Sequence, residues 1–528
     1  MIKKVWHKLN NSVAGGAVII AFFSLLAKIL GLIRERLIAV NFGASAVSDV
    51  YYASFRLPDL IFNTLVLGAL TSAFIPIFQK TWHKDKNDGL VLANSVINFF
   101  LLIISFLVIL AIIFAEPMTK IITPGFDAWQ LSQTILLSRI MLLATLFFVF
   151  SNVLGGILNS WKKFFSFSLA ASFYNIGIII GIIFLYPRLG LSGLAWGVVL
   201  GALMHLLVQL PEVRRYGFHY RLNLVFDENL KKILRLMVPR TLGLAAGQLN
   251  LVLVTMMASH LSSGSIAVFN LANNMQSLPI SLFAVSLAIA VFPTFSQAVL
   301  EKNHTLFATH LSQNIRRLLF LLLPISVLIV VLRAQIVRVI LGSGNFTWDN
   351  TYDTAQTLGW FAISIFAQGL IPLLARSFYA LGDTKTPTNI AFISIITNII
   401  TAFYLSGIFG VQGLAMAFSI SSIINMLLLY LVLYYRVDLL DNNKIFSVLL
   451  IVTLNSLIAG FVTNRILHLI APLLNTRTFI GIFTQGLLAG LCGLIIYLIL
   501  SILFKLEEVR IVKNKLLQSW HLLKNGKN

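Results

Sequence analysis

Apolar stretches of about 20 residues recur along the whole chain, and this feature constrains its fold more than any other. Of the 528 residues, 58% are hydrophobic and only 11% are charged. Soluble domains carry about 25% charged residues. A helix needs about 20 apolar residues to cross a bilayer. The sequence therefore predicts an all-α polytopic membrane protein with about 14 transmembrane helices.

Several of these apolar windows are longer than a bilayer is thick. We place the windows at 14–40, 48–79, 90–114, 131–158, 166–186, 190–210, 233–258, 265–299, 318–332, 354–380, 387–406, 411–434, 446–464 and 479–504. Bends or breaks are expected at Gly31 in the first, at Pro58 and Pro76 in the second, and at Pro279 and Pro293 in the eighth. Broken helices at membrane depth are tolerated where they line a cavity, so these positions favour a transporter.

The location of the positive charges indicates the topology. The net charge is +21, and most Lys and Arg residues lie in alternate short loops between apolar windows. This pattern places both termini in the cytoplasm by the positive-inside rule and argues against a nucleic-acid partner. The segment 506–528 is basic and amphipathic, so we expect it to form a cytoplasmic tail on the inner leaflet.

Two short motifs occur twice. AFIPIF at 73–78 returns as AVFPTF at 290–295, and GLSGLAWG at 190–197 returns as GVQGLAMA at 410–417. The copies fall on corresponding helices and predict two pseudo-symmetric six-helix lobes. The expected organisation is an N-terminal lobe at 1–218, a C-terminal lobe at 219–440, two extra helices at 441–505 and the tail at 506–528.

Charged residues are concentrated in the first two windows. A charge at the centre of a bilayer costs at least about 2.5 kcal/mol, and such residues mark functional sites by default. We therefore expect Lys28, Arg34 and Arg56 to line a basic cavity for an anionic substrate. Asp49 and Asp59 share one face of the second helix with Arg56, and we expect them to orient these bases. Ion pairing or snorkelling is the structural alternative.

Other polar residues in the windows leave two roles open. Arg139, Arg240 and Arg376 lie nearer helix ends, where a structural role and a cavity role are equally plausible. The eighth window contains Asn274 among several amides and no charge. Such a stripe can bind sugars, peptides or a partner helix, or it can hold helices together.

No catalytic or metal motif is present. HExxH, Walker and GxSxG patterns are missing, and Cys492 is the only cysteine. We expect neither an enzyme nor a metal site, and no cofactor, so a membrane potential or an ion gradient is the expected energy source. Asp383 is a weak cation candidate, for which a loop or cap role is the stronger alternative.

Three segments resemble the MurJ (MviN) family of lipid II flippases, which belongs to the multidrug/oligosaccharidyl-lipid/polysaccharide exporter superfamily. They are AKILGLIRERLIAVNFGASAVSDVYYASFRLPDL, GALTSAFIPIF and FYALGDTKTP, at 27–60, 68–78 and 378–387. The resemblance implies a protein of the bacterial cytoplasmic (inner) membrane that moves the undecaprenyl-pyrophosphate-linked precursor from the inner to the outer leaflet by alternating access. It also implies a basic cavity for the pyrophosphate and a lipid-tail groove made partly by helices 13 and 14. The expected partners are lipid II, membrane lipids and the peptidoglycan synthesis machinery.

The resemblance also assigns substrate-binding roles to individual residues, and it is incomplete. Lys28, Arg34, Asp49 and Arg56 occupy positions of family cavity residues. A family arginine and glutamate of the second helix correspond here to Phe62 and Leu67, and an arginine of the eighth helix corresponds to Asn274. Arg139 or Arg240 would have to compensate for the missing bases.

Two alternatives to lipid II transport stay open. One is transport of another polyprenyl-linked glycan or an amphipathic solute, and the other is a membrane scaffold that transports nothing. A basic cavity favours an anionic lipid head over a cationic drug. Deep charges and broken helices argue against a scaffold, because a scaffold does not need them.

Overall fold

The computed structural model describes residues 13–67, 73–437, 439–476 and 478–509; the side chains at 13–18, 67, 238–240, 242–244 and 246 lie outside this description. The described residues are helical with short connections and contain no strand. The chain divides into two compact units, 1–267 with 344–346, and 268–343 with 347–528. Each unit has its own core of buried aliphatic and aromatic side chains.

The first unit is built from twelve helices and two π-helical segments among its described residues. The helices are α1 (Val13–Phe42), α2 (Ala46–Ser54), α3 (Arg56–Ile61), α4 (Ile75–Lys84), α5 (Lys86–Ile113), α6 (Ala115–Ile122), α7 (Ala128–Ser160), α8 (Phe164–Ile180), α9 (Tyr186–Leu189), α10 (Leu191–Leu207), α11 (Leu210–Arg215) and α12 (Glu228–Ser259). The π-helical segments are Phe62–Leu67 and Gly181–Leu185.

Helix α13 (Ser265–Pro279) crosses the division: its first three residues belong to the first unit and the others to the second. The helices of the second unit are α13, α14 (Ser286–Leu300), α15 (His304–Leu341), α16 (Trp348–Ala362), α17 (Ile365–Ala380), α18 (Lys385–Phe409), α19 (Val411–Arg436), α20 (Asn442–Ile470) and α21 (Phe479–Leu503). A third π-helical segment, Ile280–Val285, joins α13 to α14.

Within the described residues, every predicted window coincides with helical structure, but not every helical stretch has the composition of a span. Ten stretches in the described part of the chain are long and apolar enough to cross a membrane, and the pair α16–α17, bent by 44°, would be an eleventh. The first, second and seventh windows contribute none, and the first two are the windows that contain the clustered charges. The count of fourteen therefore stays a prediction.

The expected helix breaks are found at some of the expected positions. The second window is interrupted at Phe55, three residues before Pro58, and Pro76 lies in the first turn of α4. Pro279 is the last residue of α13. Helices continue without a break through Gly31 and Pro293, so the breaks expected there are not present.

The two compact units do not follow the boundary that the sequence repeat indicates. Helix α12 belongs to the first unit, where it contacts α3, the segment Phe62–Leu67, α5 and α6. The repeat assigns this helix to a lobe that starts at 219. The predicted division at 218, 440 and 505 stays a prediction, and residues 510–528 of the predicted tail lie outside the described residues.

The second repeated motif has the same local geometry in both copies. Gly190 and Gly410 each link two helices with positive φ, +61° and +58°, which suits glycine. Three residues further on, a Cβ at Gly193 or Gly413 would lie 2.4 or 2.3 Å from the carbonyl carbon of a residue in the preceding helical stretch. Each motif therefore encodes a tight turn between closely packed helices.

Helices α8 and α10 approach each other through glycines spaced four apart. A Cβ at Gly177 would lie 2.3 Å from the Cα of Gly201, and a Cβ at Gly197 would lie 2.6 Å from the Cα of Gly181. Small residues at this spacing let helix backbones pack closely inside a membrane. The contact involves backbone atoms, so no side-chain rotation can relieve an added methyl group.

Gly197→Ala should therefore destabilise the protein by about 1–3 kcal/mol, as overpacking does in cores. The matched control is Gly407→Ala in α18, where an added Cβ meets nothing within 4 Å of it and helix propensity favours alanine. Thermal unfolding of the two detergent-purified variants measures the change in stability that each substitution causes. Equal unfolding temperatures for the two variants would contradict the packing argument.

Candidate functional site

Arg34, near the C-terminal end of α1, is held by side chains from two elements. Its Nη1 donates to the Oδ1 of Asn175 on α8 at 3.2 Å, and its Nη2 pairs with the carboxylate of Glu35. The Nδ2 of Asn175 donates to the carbonyls of Ala27 and Ala171 at 3.2 and 3.0 Å. Asn175 therefore fixes the guanidinium and also joins α1 to α8.

Glu35 is 4% exposed and is held from α2 as well. Its second carboxylate oxygen accepts a hydrogen bond from the hydroxyl of Tyr52. Tyr51, beside it, packs edge to face on Tyr52 and Phe55 with ring centroids 5.4 and 5.1 Å apart. Helices α1, α2 and α8 thus meet around one ion pair, in which Glu35 is buried and Arg34 is half-buried.

Arg56 and Asp59 extend this charged region along α3. Arg56 is buried, and its Nε donates to the Oγ1 of Thr255 on α12 at 2.7 Å. Asp59 is half-buried and interacts electrostatically with both Arg56 and Arg34. Three of the predicted site residues are therefore brought together. Lys28 is half-buried on α1 and makes no hydrogen bond or ion pair with any other residue that the structure describes.

Asp49 does not contact these bases. It is 3% exposed, and its two carboxylate oxygens accept hydrogen bonds from the backbone N–H groups of Gly264 and Ala267 at 2.6 and 2.8 Å. The carboxylate therefore caps the first turn of α13, where free N–H groups and the helix dipole favour an anion. The role that we expected for Asp49, orienting the bases, is replaced by this one.

Of the two proposed compensating bases, the structure describes the side chain of Arg139 only, and no hydrogen bond or ion pair joins it to the charged region. Arg139 is exposed on α7, and its Nε donates to the carbonyl of Ile112 at 3.2 Å. The side chain of Arg240 lies outside the described residues, as does that of Leu67. The ring of Phe62 packs against that of Phe148 with centroids 4.8 Å apart, so this position contributes apolar contact in place of charge.

In the second unit, the amides of the eighth window bond to one another and to neighbouring helices. The Nε2 of Gln276 donates to Asn273 at 2.9 Å, and its Oε1 accepts from Gln368 at 2.8 Å. The chain continues from Gln368 to Ser364 and from there to Ser419. This network supports the inter-helix role. Asn274 is half-buried on the same helix, and Arg376 donates to the Pro372 carbonyl of its own helix at 3.3 Å.

Asp383 forms a helix cap in the loop before α18. It accepts hydrogen bonds from the N–H and the hydroxyl of Thr386 at 3.0 and 2.7 Å and pairs with Arg436. The Thr386 bonds, with a smaller contribution from Arg436, lower the pKa of Asp383 to about 2. These contacts describe the cap role that we weighed against a cation site. Within the described residues, no three His, Cys, Asp or Glu side chains are grouped to hold a metal.

An apolar cavity of about 710 Å³ lies in the first unit beside the π-helical segment Phe62–Leu67. It is lined by Leu60, Ile61, Thr64, Leu65, Leu107, Leu110, Ala111, Phe114, Pro117, Met118, Ile121, Ala245 and Leu249. No sequence pattern indicates this cavity, because its walls come from three separated stretches, 60–65, 107–121 and 245–249. Sequence reasoning also missed Asn175 and Thr255, each a single polar residue in an apolar run.

The chain resembles proteins of one family over most of its length. A family model described as lipid II flippase MurJ matches residues 38–483. A probable lipid II flippase MurJ of Buchnera aphidicola subsp. Schizaphis graminum is 31% identical over 425 residues, which cover 79% of this chain and 82% of the relative. The lipid II flippase MurJ of Burkholderia cenocepacia is 28% identical over 426 residues, 78% and 82% of the two chains.

Solved structures show the same fold. A lipid II flippase MurJ in an inward closed conformation superposes with a TM-score of 0.78 at 28% identity, covering 92% of this chain and 98% of that one. An inward-facing multidrug transporter of the MATE family and MOP superfamily has a TM-score of 0.66 at 17% identity, covering 78% and 94%. The second likeness concerns the fold alone.

The Asp49 cap provides a test of the site's architecture. Asp49→Ala leaves two buried N–H groups without their acceptor, so we expect a loss of about 3 kcal/mol of stability, with Asp49→Asn intermediate because it retains one acceptor oxygen. Thermal unfolding in detergent is the measurement. Asp88→Asn, at an exposed carboxylate in the first turn of α5, is the control. Wild-type stability in Asp49→Ala would refute the assigned role.

Proposed function

The chain belongs to the lipid II flippase MurJ family, and on that premise we propose that it moves lipid II from the inner to the outer leaflet by alternating access. Members of this family are transporters of the bacterial inner membrane, so the chain is a multi-pass inner-membrane protein and not an enzyme. The proposal includes fourteen spans in two six-helix lobes plus two helices, with both termini in the cytoplasm.

The observation that carries the proposal is the half-buried Arg34, whose guanidinium is held in a fixed orientation by Asn175 and Glu35. A guanidinium presents paired N–H donors that match phosphate oxygens, and this match is strongest where water is excluded. Arg34 is held on both sides, by Asn175 and Glu35, at a depth where a charge without a function would be selected against. We propose that it binds the pyrophosphate of the cargo, with Lys28 and Arg56 adding positive potential.

The two residues that replace family bases limit how the cargo is held. Phe62 packs against an aromatic ring, and Asn274 is uncharged. An amide or a phenyl ring does not replace a bidentate arginine contact. The anionic part of the cargo is therefore assigned to Arg34, Lys28 and Arg56.

The polyprenyl part of the cargo requires an apolar path. We propose that α20 and α21 provide it, as the family resemblance implies. Exposed Leu450, Leu454, Leu457 and Phe461 recur every three or four residues on α20 and form an outward apolar stripe. Helix α21 exposes a similar series of leucines and isoleucines. We propose a membrane potential or an ion gradient as the energy source.

Complementation of a bacterial strain depleted of its own lipid II flippase tests the function. We expect the wild type to restore growth and Arg34→Ala to fail, because alanine removes the phosphate-binding donors and leaves Glu35 buried without its counter-ion. Arg139→Ala is the matched control, since Arg139 is an exposed arginine of the same unit. It should restore growth as the wild type does.

Membrane levels of the three proteins must be equal for the comparison. Failure of a well-expressed wild type would contradict lipid II as the cargo. Growth with Arg34→Ala would contradict the assignment of the pyrophosphate to Arg34 and would leave the transport function itself in place.

A further inference from the structure

Two buried polar atoms beside the Arg34–Glu35 pair have no hydrogen-bond partner among the described residues. They are the Nε of Arg34 and the hydroxyl oxygen of Tyr51. Tyr51 is 2% exposed and interacts electrostatically with both Arg34 and Glu35. Buried polar groups without partners are costly and uncommon, so each one calls for an explanation. Two such groups next to one ion pair form a position at which a ligand could be bound.

The geometry of the guanidinium indicates which kind of ligand fits this position. An arginine binds an oxyanion in a bidentate manner through a pair of neighbouring N–H groups, such as Nε and Nη2. Here the carboxylate of Glu35 pairs with Nη2, and Nε has no hydrogen-bond partner among the described residues. The ion pair therefore uses only one of the two neighbouring N–H groups, Nε and Nη2, whereas a phosphate group could accept hydrogen bonds from both.

Glu35 is also placed so that it can release Arg34. Neighbouring residues of a helix do not normally face each other, and the carboxylate is held from the side by the hydroxyl of Tyr52. If an anion takes its place on Arg34, the bond from Tyr52 still satisfies one oxygen of Glu35. Arg34 meanwhile keeps its bond to Asn175.

We propose that Glu35 is a resident counter-anion, which occupies Arg34 when cargo is absent and which a phosphate group of the cargo displaces. In the loaded site, phosphate oxygens accept hydrogen bonds from Nε and Nη2 of Arg34 and from the hydroxyl of Tyr51. Release follows when Glu35 returns to Arg34. This inference rests on the proposed function and adds to it a residue that sets how tightly the cargo is held.

The exchange solves a problem that any carrier of a diphosphate has. A buried arginine without a counter-ion is destabilising, and one that binds phosphate without competition releases it slowly. A carboxylate on the same helix keeps Arg34 paired in both states, and the cost of separating that carboxylate from its counter-ion weakens cargo binding. Binding energy spent on the ground state does not accelerate turnover.

Two variants should shift cargo affinity in opposite directions. Glu35→Gln removes the competing charge, so the purified full chain should bind undecaprenyl pyrophosphate in detergent about tenfold more tightly. In proteoliposomes its maximal flipping rate should fall while its KM also falls. Glu228→Gln removes an exposed carboxylate that is paired with Lys231 and should change neither quantity.

Tyr51→Phe should weaken binding of the same lipid about tenfold. Because the hydroxyl has no partner in the cargo-free protein, its removal should leave the unfolding temperature equal or higher. A purely structural tyrosine would lose stability without this change in affinity. If Glu35→Gln does not fold, Tyr51→Phe alone decides the question.

The outcomes separate the inference from the function on which it rests. Unchanged or weaker binding by Glu35→Gln, or unchanged binding by Tyr51→Phe, with a wild type that binds the lipid, would overturn the counter-anion role and leave the flippase proposal intact. A wild type that binds no undecaprenyl pyrophosphate would overturn both.

Discussion

Compensation of charge within a largely apolar environment is the constraint on which the candidate site depends. Arg34 is stable there because Glu35 and Asn175 take two of its N–H groups, and Arg56 because Thr255 takes its Nε. Leaving one member of a buried pair unmatched costs about 3–5 kcal/mol. The helices that carry these partners must therefore pack where they do, so the same contacts that stabilise the first unit also define the geometry of its charged region.

The same constraint applies to the backbone. Wherever a helix ends or loosens at membrane depth, its free N–H and C=O groups need partners. Asp49 provides acceptors for the first turn of α13, and π-helical segments continue the helices past Pro279 and beyond α3 with their hydrogen bonds shifted by one residue. Where backbones pack most closely, between α8 and α10, glycine makes the contact possible. Irregular helix geometry is thus accommodated locally.

The approximate positions of the helices followed from the sequence, because the length and apolar content of each window determine them. The position of the charged region also followed, because buried charges are costly and therefore conspicuous in an apolar chain. The hydrogen-bond partners of the charged residues did not follow from the sequence. Asn175 is 141 residues from Arg34, and Thr255 is 199 residues from Arg56. A single amide or hydroxyl in an apolar run has no periodicity that would identify its partner. For Asp49, the sequence predicted the helix face on which the side chain lies. It did not predict the N–H groups that the carboxylate binds, because these lie more than 200 residues away, at Gly264 and Ala267.

The asymmetry of charge along the chain now has a physical basis. In the second unit, Asn273, Gln276 and Gln368 bond to one another, so these amides satisfy themselves without an anion. In the first unit, hydrogen-bonding capacity remains at Arg34 and Tyr51, beside the carboxylate of Glu35. Our proposal therefore assigns charge recognition to the region around α1 and α2. Because Phe62 and Asn274 supply no further base, the proposed competition between Glu35 and a phosphate for one guanidinium would influence affinity more than it would in a site with more arginines.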